Sequence, residues 1–345
     1  MGVVISNPGG VNLRTRPAGP FIGVINNGVQ ITLINVPTIN AALNGVAYKW
    51  QAIALADNTI GWVAANFLVN TVPPSVPRRI VGAHFLQDAI PAATQLMAGL
   101  GTVSLPAATI LNEPKLLGVV RANYVVFRNT ASETITSIPD DPAAAFALGQ
   151  QCVHERLGWI NALPHGVAVQ LVNEIKWSPG HGQFWLGMLQ ALEAQNRQGV
   201  IGSYSVGGPE PDQWATMTPA LEYAMENGHL ATLHIYCQQG TPVGQLSADQ
   251  ADFEGRPMRL YAAVPGNARP DLVISECGHE YAHGEFEGAN ALIHFAGQMQ
   301  NLYQVAPYVV GVNLYTFGSL GGWEKSSIDS AAGALATAIV NQRFL

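Results

Sequence analysis

From Ile80 onward the sequence alternates short apolar runs with helix-length amphipathic stretches, and that alternation leaves few folds open. The apolar runs fall at 80–85, 107–111, 124–128, 167–174, 200–205, 230–236, 272–276 and 309–315. Helix-like segments lie between them at 141–163, 183–197, 212–227, 287–304 and 327–342. Strands alternating with helices imply parallel pairing through right-handed crossovers. Eight such units make a (β/α)8 barrel, which takes about 250 residues. Residues 79 to 345 supply 267. A doubly wound open sheet is the rival, but no Gly-x-Gly-x-x-Gly turn follows the first run, as a dinucleotide fold needs. The expected class is α/β, with a (β/α)8 barrel over 80–345.

The first 70 residues have a different rhythm. Short apolar stretches such as 29–34, 48–55 and 60–63 are separated by turn residues, among them Asn26-Asn27-Gly28 and Asp57-Asn58. That is hairpin punctuation without helical periodicity, so a small all-β barrel is expected over 1–70. Residues 71–79 follow as a spacer, because Pro73, Pro74 and Pro77 favour an extended chain and cannot continue a helix. The motifs Val11-Asn12-Leu13-Arg14-Thr15-Arg16-Pro17, Ile22-Gly23-Val24, Gly61-Trp62-Val63 and Asn66-Phe67-Leu68 resemble a bacterial Src-homology-3-like domain. The resemblance implies a module that tethers enzymes to cell walls or other glycans, with a cell-wall glycan or peptide as its partner. The bare residues leave open that Tyr48, Trp50 and Trp62 only fill a small core.

Composition narrows the function. Charged residues make up 11% of the chain and the formal charge is −7, against about 25% charged in an ordinary soluble protein. This gives no electrostatic footprint for nucleic acid or an anionic membrane. No apolar stretch reaches the length of a membrane span. Three cysteines, Cys152, Cys237 and Cys277, allow at most one bridge and show no metal-site spacing. The chain opens on strand-like sequence without a basic start or a cleavage site, which fits a cytoplasmic protein or the mature part of a secreted one.

In a parallel barrel, functional side chains project from the C-terminal ends of the strands. The fourth apolar run closes on Asn173-Glu174 and the seventh on Glu276. A carboxylate closing a buried strand is costly to desolvate unless something pairs or uses it. The two lie 102 residues apart, the span of three units of about 33 residues, so both should enter one mouth. Two facing carboxyls are the minimum apparatus for glycosidic cleavage: one protonates the leaving oxygen, the other attacks or activates water.

At these residues the chain resembles the clan A glycoside hydrolases, which are retaining (β/α)8 enzymes. The resemblance implies Glu174, after Asn173, as acid/base and Glu276 as nucleophile. It implies Tyr236 as the nucleophile's hydrogen-bond donor and His234 as a catalytic-site histidine, both within His234-Ile235-Tyr236. It implies a role for Arg128 in orienting the nucleophile, although Arg128 falls on strand three rather than strand two. Asn173 would bond the hydroxyl beside the reacting carbon. His84 on strand one either bonds a sugar hydroxyl or is a satisfied polar group. Trp177 and Trp323 either stack on sugar faces or pack barrel to helix. The expected substrate is an oligo- or polysaccharide, no cofactor is needed, and the attached module points to an extracellular or cell-surface setting.

Two alternatives belong to other classes. His279-Glu280-Tyr281-Ala282-His283 matches His-Glu-x-x-His, a zinc-hydrolase signature in which His279 and His283 bind metal and Glu280 activates water. That motif works on a helix, and here it follows a strand and Gly278. The other alternative is an inactive barrel that binds glycans or serves as a scaffold.

Overall fold

The computed structural model describes residues 2–5, 11–14, 20–26, 29–33, 39–43, 46–55, 60–71, 78–133, 135–204, 211–236, 264, 268–278, 288–304, 306–319 and 327–344. The central part of the spacer, Cys237, the stretch from His279 to His283, and Trp323 lie outside them. The chain divides into two compact units, Met1–Arg78 with Val305–Pro307, and Arg79–Gln304 with Tyr308–Leu345.

The first unit is antiparallel. Its strands are β1 (Gly2–Ile5), β2 (Val11–Arg14), β3 (Phe21–Ile25), β4 (Gln30–Leu33), β5 (Ile39–Leu43), β6 (Val46–Ala54), β7 (Ile60–Ala64) and β8 (Leu68–Thr71). They pair in the order β3-β2-β7-β6-β4-β1-β8, with β5 on β6. In β2 the alternation of Val11 and Leu13 inward with Asn12 outward follows from the two-residue period of a strand. Val11, Leu13, Ile25, Ile31, Ile53 and Val63 form the core. Trp50 is buried, and its indole N–H donates to the Ala41 carbonyl at 3.0 Å.

The second unit is a ring of eight parallel strands: β9 (Val81–Phe85), β10 (Leu105–Leu111), β11 (Ala122–Arg128), β12 (Val167–Gln170), β13 (Val200–Tyr204), β14 (Leu230–Tyr236), β15 (Asp271–Gly278) and β16 (Val309–Phe317). Every neighbouring pair from β12 through β11, β10, β9, β16, β15 and β14 to β13 is laddered. The last seam, β12 to β13, is held by a single bridge, Val169 to Gly199, with Val169 N–H donating to the Gln198 carbonyl at 2.9 Å. Seven of the eight expected strands match within two residues at each end. The exception is the fourth, expected over 167–174, which ends at Gln170.

Helices cover the outside: α1 (Ile90–Leu100), α2 (Pro142–His154), α3 (Leu157–Ile160), α4 (His181–Glu193), α5 (Pro211–Glu226), α6 (Ala289–Tyr303) and α7 (Ala332–Asn341). The segment expected as one helix over 141–163 is two. Asp141 caps the start of α2 by accepting from the Ala144 N–H at 2.8 Å, with Pro142 in the first turn. Arg156 ends it by donating to the Cys152 carbonyl at 2.8 Å, one of the carbonyls a helix end leaves free. Between β10 and β11 the crossover is only a short 3-10 turn, Pro114–Gly118. Among the described residues no helix is long and apolar enough to cross a membrane.

The barrel interior is filled in layers. Ala107, Val126, Ala168, Val200, Leu230 and Val273 form one apolar layer. Small residues let the wall close: a side chain on Gly82 would stand 2.2 Å from the Ala107 carbonyl oxygen. Two residues further along several strands comes a polar layer, where Thr109 meets Asn313 at 2.8 Å and Thr232 bonds Ser275. One step of two carries β11 from Val126 to Arg128, and a second step carries β14 from Thr232 to His234, so these side chains point toward the mouth.

Candidate active site

Glu276 reaches the mouth through a bulge. Leu233 pairs with Ile274, but the next residue, His234, pairs with Glu276, so Ser275 is an extra residue in β15. The β16 ladder shows the same shift, from Ile274 to Cys277. Strict alternation from Val273 would point Ser275 and Cys277 inward and Glu276 toward the helices. The bulge turns Glu276 in beside Ser275, a re-aiming that bulges perform near active sites. β15 also continues to Gly278, so Glu276 lies within the strand and does not end it as the sequence suggested.

Glu276 is enclosed by partners. Oε1 accepts from Arg128 Nη1 at 2.9 Å, and Oε2 accepts from the Tyr236 hydroxyl at 2.8 Å. His234 Nδ1 stands 3.5 Å from Oε2. Burial would push this carboxyl up, but His234, Arg128, His84 and the Tyr236 hydroxyl outweigh it and bring it down to about 2. Glu276 is therefore a carboxylate over the whole neutral range. Tyr236 is held well above the ordinary phenol value by burial and by the Glu276 charge, so it stays a donor.

Glu174 is placed differently. The chain leaves the ladder at Leu171, and Glu174 takes φ +48°, a left-handed backbone uncommon for a residue with a side chain. Its N–H donates to the Ser203 carbonyl on β13 at 2.8 Å, which ties the loop across the thin seam. Ser203 (φ +48°) and Gly202 (φ +102°) share the irregular backbone there. The Glu174 side chain is 41% exposed, and its Oε1 shares a hydrogen with His234 Nδ1 at 2.8 Å. One oxygen each of Glu174 and Glu276, together with a His234 nitrogen, lie within 4.8 Å of one another.

The other sequence-predicted residues divide. His84 is fully buried, with Nδ1 2.7 Å from the Thr316 hydroxyl. Burial, aided by Arg128 and His234 and opposed by Glu276, lowers it to about 3, so it is neutral at neutral pH. Asn173 Oδ1 accepts from Gln170 Nε2 at 3.1 Å. Trp177, in the loop before α4, lies parallel to the His181 ring at 6.4 Å with its indole nitrogen buried, a packing position. Sequence reasoning missed Tyr315 and Glu133. The Tyr315 ring stands edge-on to Tyr236 at 5.8 Å and tilted against His84 at 4.7 Å. Glu133 pairs with Arg128. An aromatic ending the eighth apolar run was the one available signal for Tyr315; Glu133, in a polar loop, offered none.

Among the described residues, Glu174, His234 and Glu276 are the group whose donor atoms are close enough to share a cation. Their existing partners suit protons better. Both Glu276 oxygens already accept charge-assisted bonds, one from a guanidinium, and the nearest nitrogen of His234 is engaged by Glu174. The zinc motif at 279–283 and Trp323 lie outside the described residues.

No family model and no curated protein matches the sequence. Among solved structures the chain is similar to an endo-beta-1,4-glucanase from Xanthomonas axonopodis pv. citri, at 14% identity over 77% of this chain and 100% of that one, TM-score 0.45. It is similar to a broad-specificity endoglucanase from an uncultured bacterium, at 11% identity over 77% of this chain and 95% of that one, TM-score 0.49. It is also similar to a 4-O-alpha-L-rhamnosyl-beta-D-glucuronidase from Fusarium oxysporum, at 15% identity over 78% and 72%, TM-score 0.44. Likenesses this distant carry nothing about chemistry, which rests on the side chains of the site.

Proposed function

We propose that the barrel is a retaining glycoside hydrolase acting on an oligo- or polysaccharide, with Glu276 as nucleophile and Glu174 as acid/base. The observation that carries this reading is the pair of carboxyls at one mouth, one oxygen of each lying within 4.8 Å of the other. Retaining enzymes hold their carboxyls about 5–5.5 Å apart, and inverting enzymes leave about 6.5–9.5 Å for a water. The roles follow from the surroundings. Glu276 is buried, ionised and aimed by Arg128 and Tyr236. Glu174 is open to solvent and has no guanidinium partner among the described residues, so it is the one placed to meet a leaving group.

In the first step a Glu276 oxygen attacks the anomeric carbon while Glu174 gives its proton to the departing glycosidic oxygen. The bond to the leaving group breaks as the glycosyl ester on Glu276 forms. In the second step Glu174, now a carboxylate, takes a proton from water as that water attacks the same carbon. The ester bond breaks, Glu276 recovers its charge, and the sugar leaves with its original anomeric configuration. Asn173 is proposed to bond the hydroxyl next to the reacting carbon and Trp323 to stack on a sugar face, with buried His84 backing the site. The eight antiparallel strands and the motifs of the first unit support a Src-homology-3-like module that holds the enzyme at a cell wall or other glycan outside the cell.

The test is turnover of a panel of aryl glycosides and polysaccharides by wild type and Glu276→Ala. Hydrolysis by the wild type that falls by at least about 10³-fold in the variant is expected; equal turnover in both would remove the mechanism.

A further inference from the structure

Arg128 is gripped from two sides. Its Nη1 donates to Glu276 Oε1 at 2.9 Å, while Nε and Nη2 face the two oxygens of Glu133, Nη2 at 3.1 Å from Oε2 and Nε bonded to Oε1. The fork of the guanidinium matches a carboxylate along one edge, so Glu133 occupies that edge and leaves Nη1 for the site. Both side chains are largely shielded, 10% and 17% exposed.

Glu133 is itself fastened to the barrel. It follows the short turn Thr130–Ser132, and its N–H donates to the Thr130 carbonyl at 3.2 Å. Asn112, just past β10 with φ +61°, accepts from the Thr130 N–H at 2.7 Å and donates to its hydroxyl at 2.8 Å. The Asn112 N–H also donates to the Arg128 carbonyl at 3.0 Å. A chain of bonds therefore runs from the ends of β10 and β11 through Glu133 and Arg128 to Glu276. A free arginine head has several rotamers and loses that freedom only when held. The mechanism above uses Arg128 and leaves this second grip without a role.

We propose that Glu133 is a positioning residue of the hydrolase, holding Arg128 so that Nη1 meets Oε1 of the nucleophile and fixes its aim. This rests on Glu276 being the nucleophile. Besides Arg128 from β11, Glu276 is faced by His234 and Tyr236 from β14, His84 from β9, Tyr315 from β16 and Glu174 from the loop after β12. All of these remain when Glu133 is replaced, so a change at Glu276 reports on Arg128.

The experiment measures kcat and KM against pH for wild type, Glu133→Ala, Glu133→Gln, Arg128→Ala and the Glu133→Ala/Arg128→Ala double variant. In Glu133→Ala the guanidinium swings off Oε1. The acid limb of kcat/KM should rise by about one pH unit and kcat fall about tenfold, with KM within about twofold. Glu133→Gln, which keeps one acceptor, should move the same way by less, and serves if the alanine variant does not fold. In the Arg128→Ala background, Glu133→Ala should add less than about twofold. A fall or no movement of the acid limb, or losses that multiply in the double variant, would overturn the proposal. Titration of the Glu276 carboxyl by carbon NMR, assigned by its loss in Glu276→Gln, needs no turnover. A titration that rises in Glu133→Ala while the wild type cleaves no glycoside keeps the grip and sinks the hydrolase reading. Turnover that depends on Glu276 with an unmoved titration does the reverse.

Discussion

Replacing Glu276 by glutamine should flatten the response of the protein's stability to acid. In the folded chain the carboxyl is held at about 2 against an ordinary 4.5, although burial alone would push it up. A carboxyl depressed by folding stabilises the fold above its unfolded value, and that contribution disappears as pH falls toward the folded one. At about 1.36 kcal/mol per pH unit, the gap amounts to about 3 kcal/mol in full, of which about 2 kcal/mol is gone by about pH 3. The Glu276 side chain is 11% exposed, so solvent screening removes little of it. Glutamine has the same shape and does not titrate. Urea unfolding of both proteins, followed at a series of pH values, gives the difference in stability directly. Contributions from the other carboxyls and from the first unit are common to both and cancel. The wild type's advantage should shrink by about 2 kcal/mol between about pH 6 and about pH 3. Parallel curves would refute the reasoning, because they would mean that folding does not favour the ionised form of Glu276.

Glu174→Ala should slow cleavage of alkyl glycosides by about 10³-fold, the range of general acid catalysis. Dinitrophenyl glycosides, whose leaving group needs no proton, should be spared in the first step, and azide should restore turnover as a glycosyl azide; equal losses on both substrates would argue against an acid role. Tyr236→Phe removes the 2.8 Å bond to Glu276 and should lower kcat/KM about ten- to hundredfold, the equivalent of about 1.5–3 kcal/mol for a bond to a charged acceptor. Its acid limb should also rise, since the donor favoured the carboxylate. An unchanged pH profile would mean that the hydroxyl does not hold the nucleophile. Gly202→Ala should cost about 2 kcal/mol or more and lower Tm by several degrees, because Gly202 has φ +102° and a Cβ there would stand 2.4 Å from the Thr232 carbonyl oxygen. A wild-type Tm would show that β13 relaxes without cost.

Much of the barrel was legible because its signal is local and repeated. Apolar runs such as 230–236, a buried parallel strand, and amphipathic stretches such as 212–227 each declare their own period. The spacing of Glu174 and Glu276 also carried across, since equal βα units convert sequence distance into angle around a ring. What escaped lies in contacts between elements. The extra residue at Ser275 is a matter of register between β14, β15 and β16, and nothing within Leu272-Val273-Ile274-Ser275-Glu276 announces it. Glu174 leaves the ladder because its N–H finds the Ser203 carbonyl on the next strand, a partner 29 residues away. The break between α2 and α3 depends on where the Arg156 head folds back. Arg128 looked misplaced on strand three, yet a long side chain from that position reaches Glu276 at 2.9 Å. Glu133 sits in a polar loop where an acid is ordinary, and only its contact with Arg128 gives it a function.

The central claim is a covalent bond between sugar and Glu276. A mechanism-based 2-deoxy-2-fluoro glycoside forms its ester quickly and hydrolyses it slowly, so the trapped protein can be digested and weighed. The expected result is one added fluorosugar on the peptide that carries Glu276, and none in Glu276→Gln. A label on any other carboxyl, or release of inverted product with no label while the enzyme is active, would contradict the account.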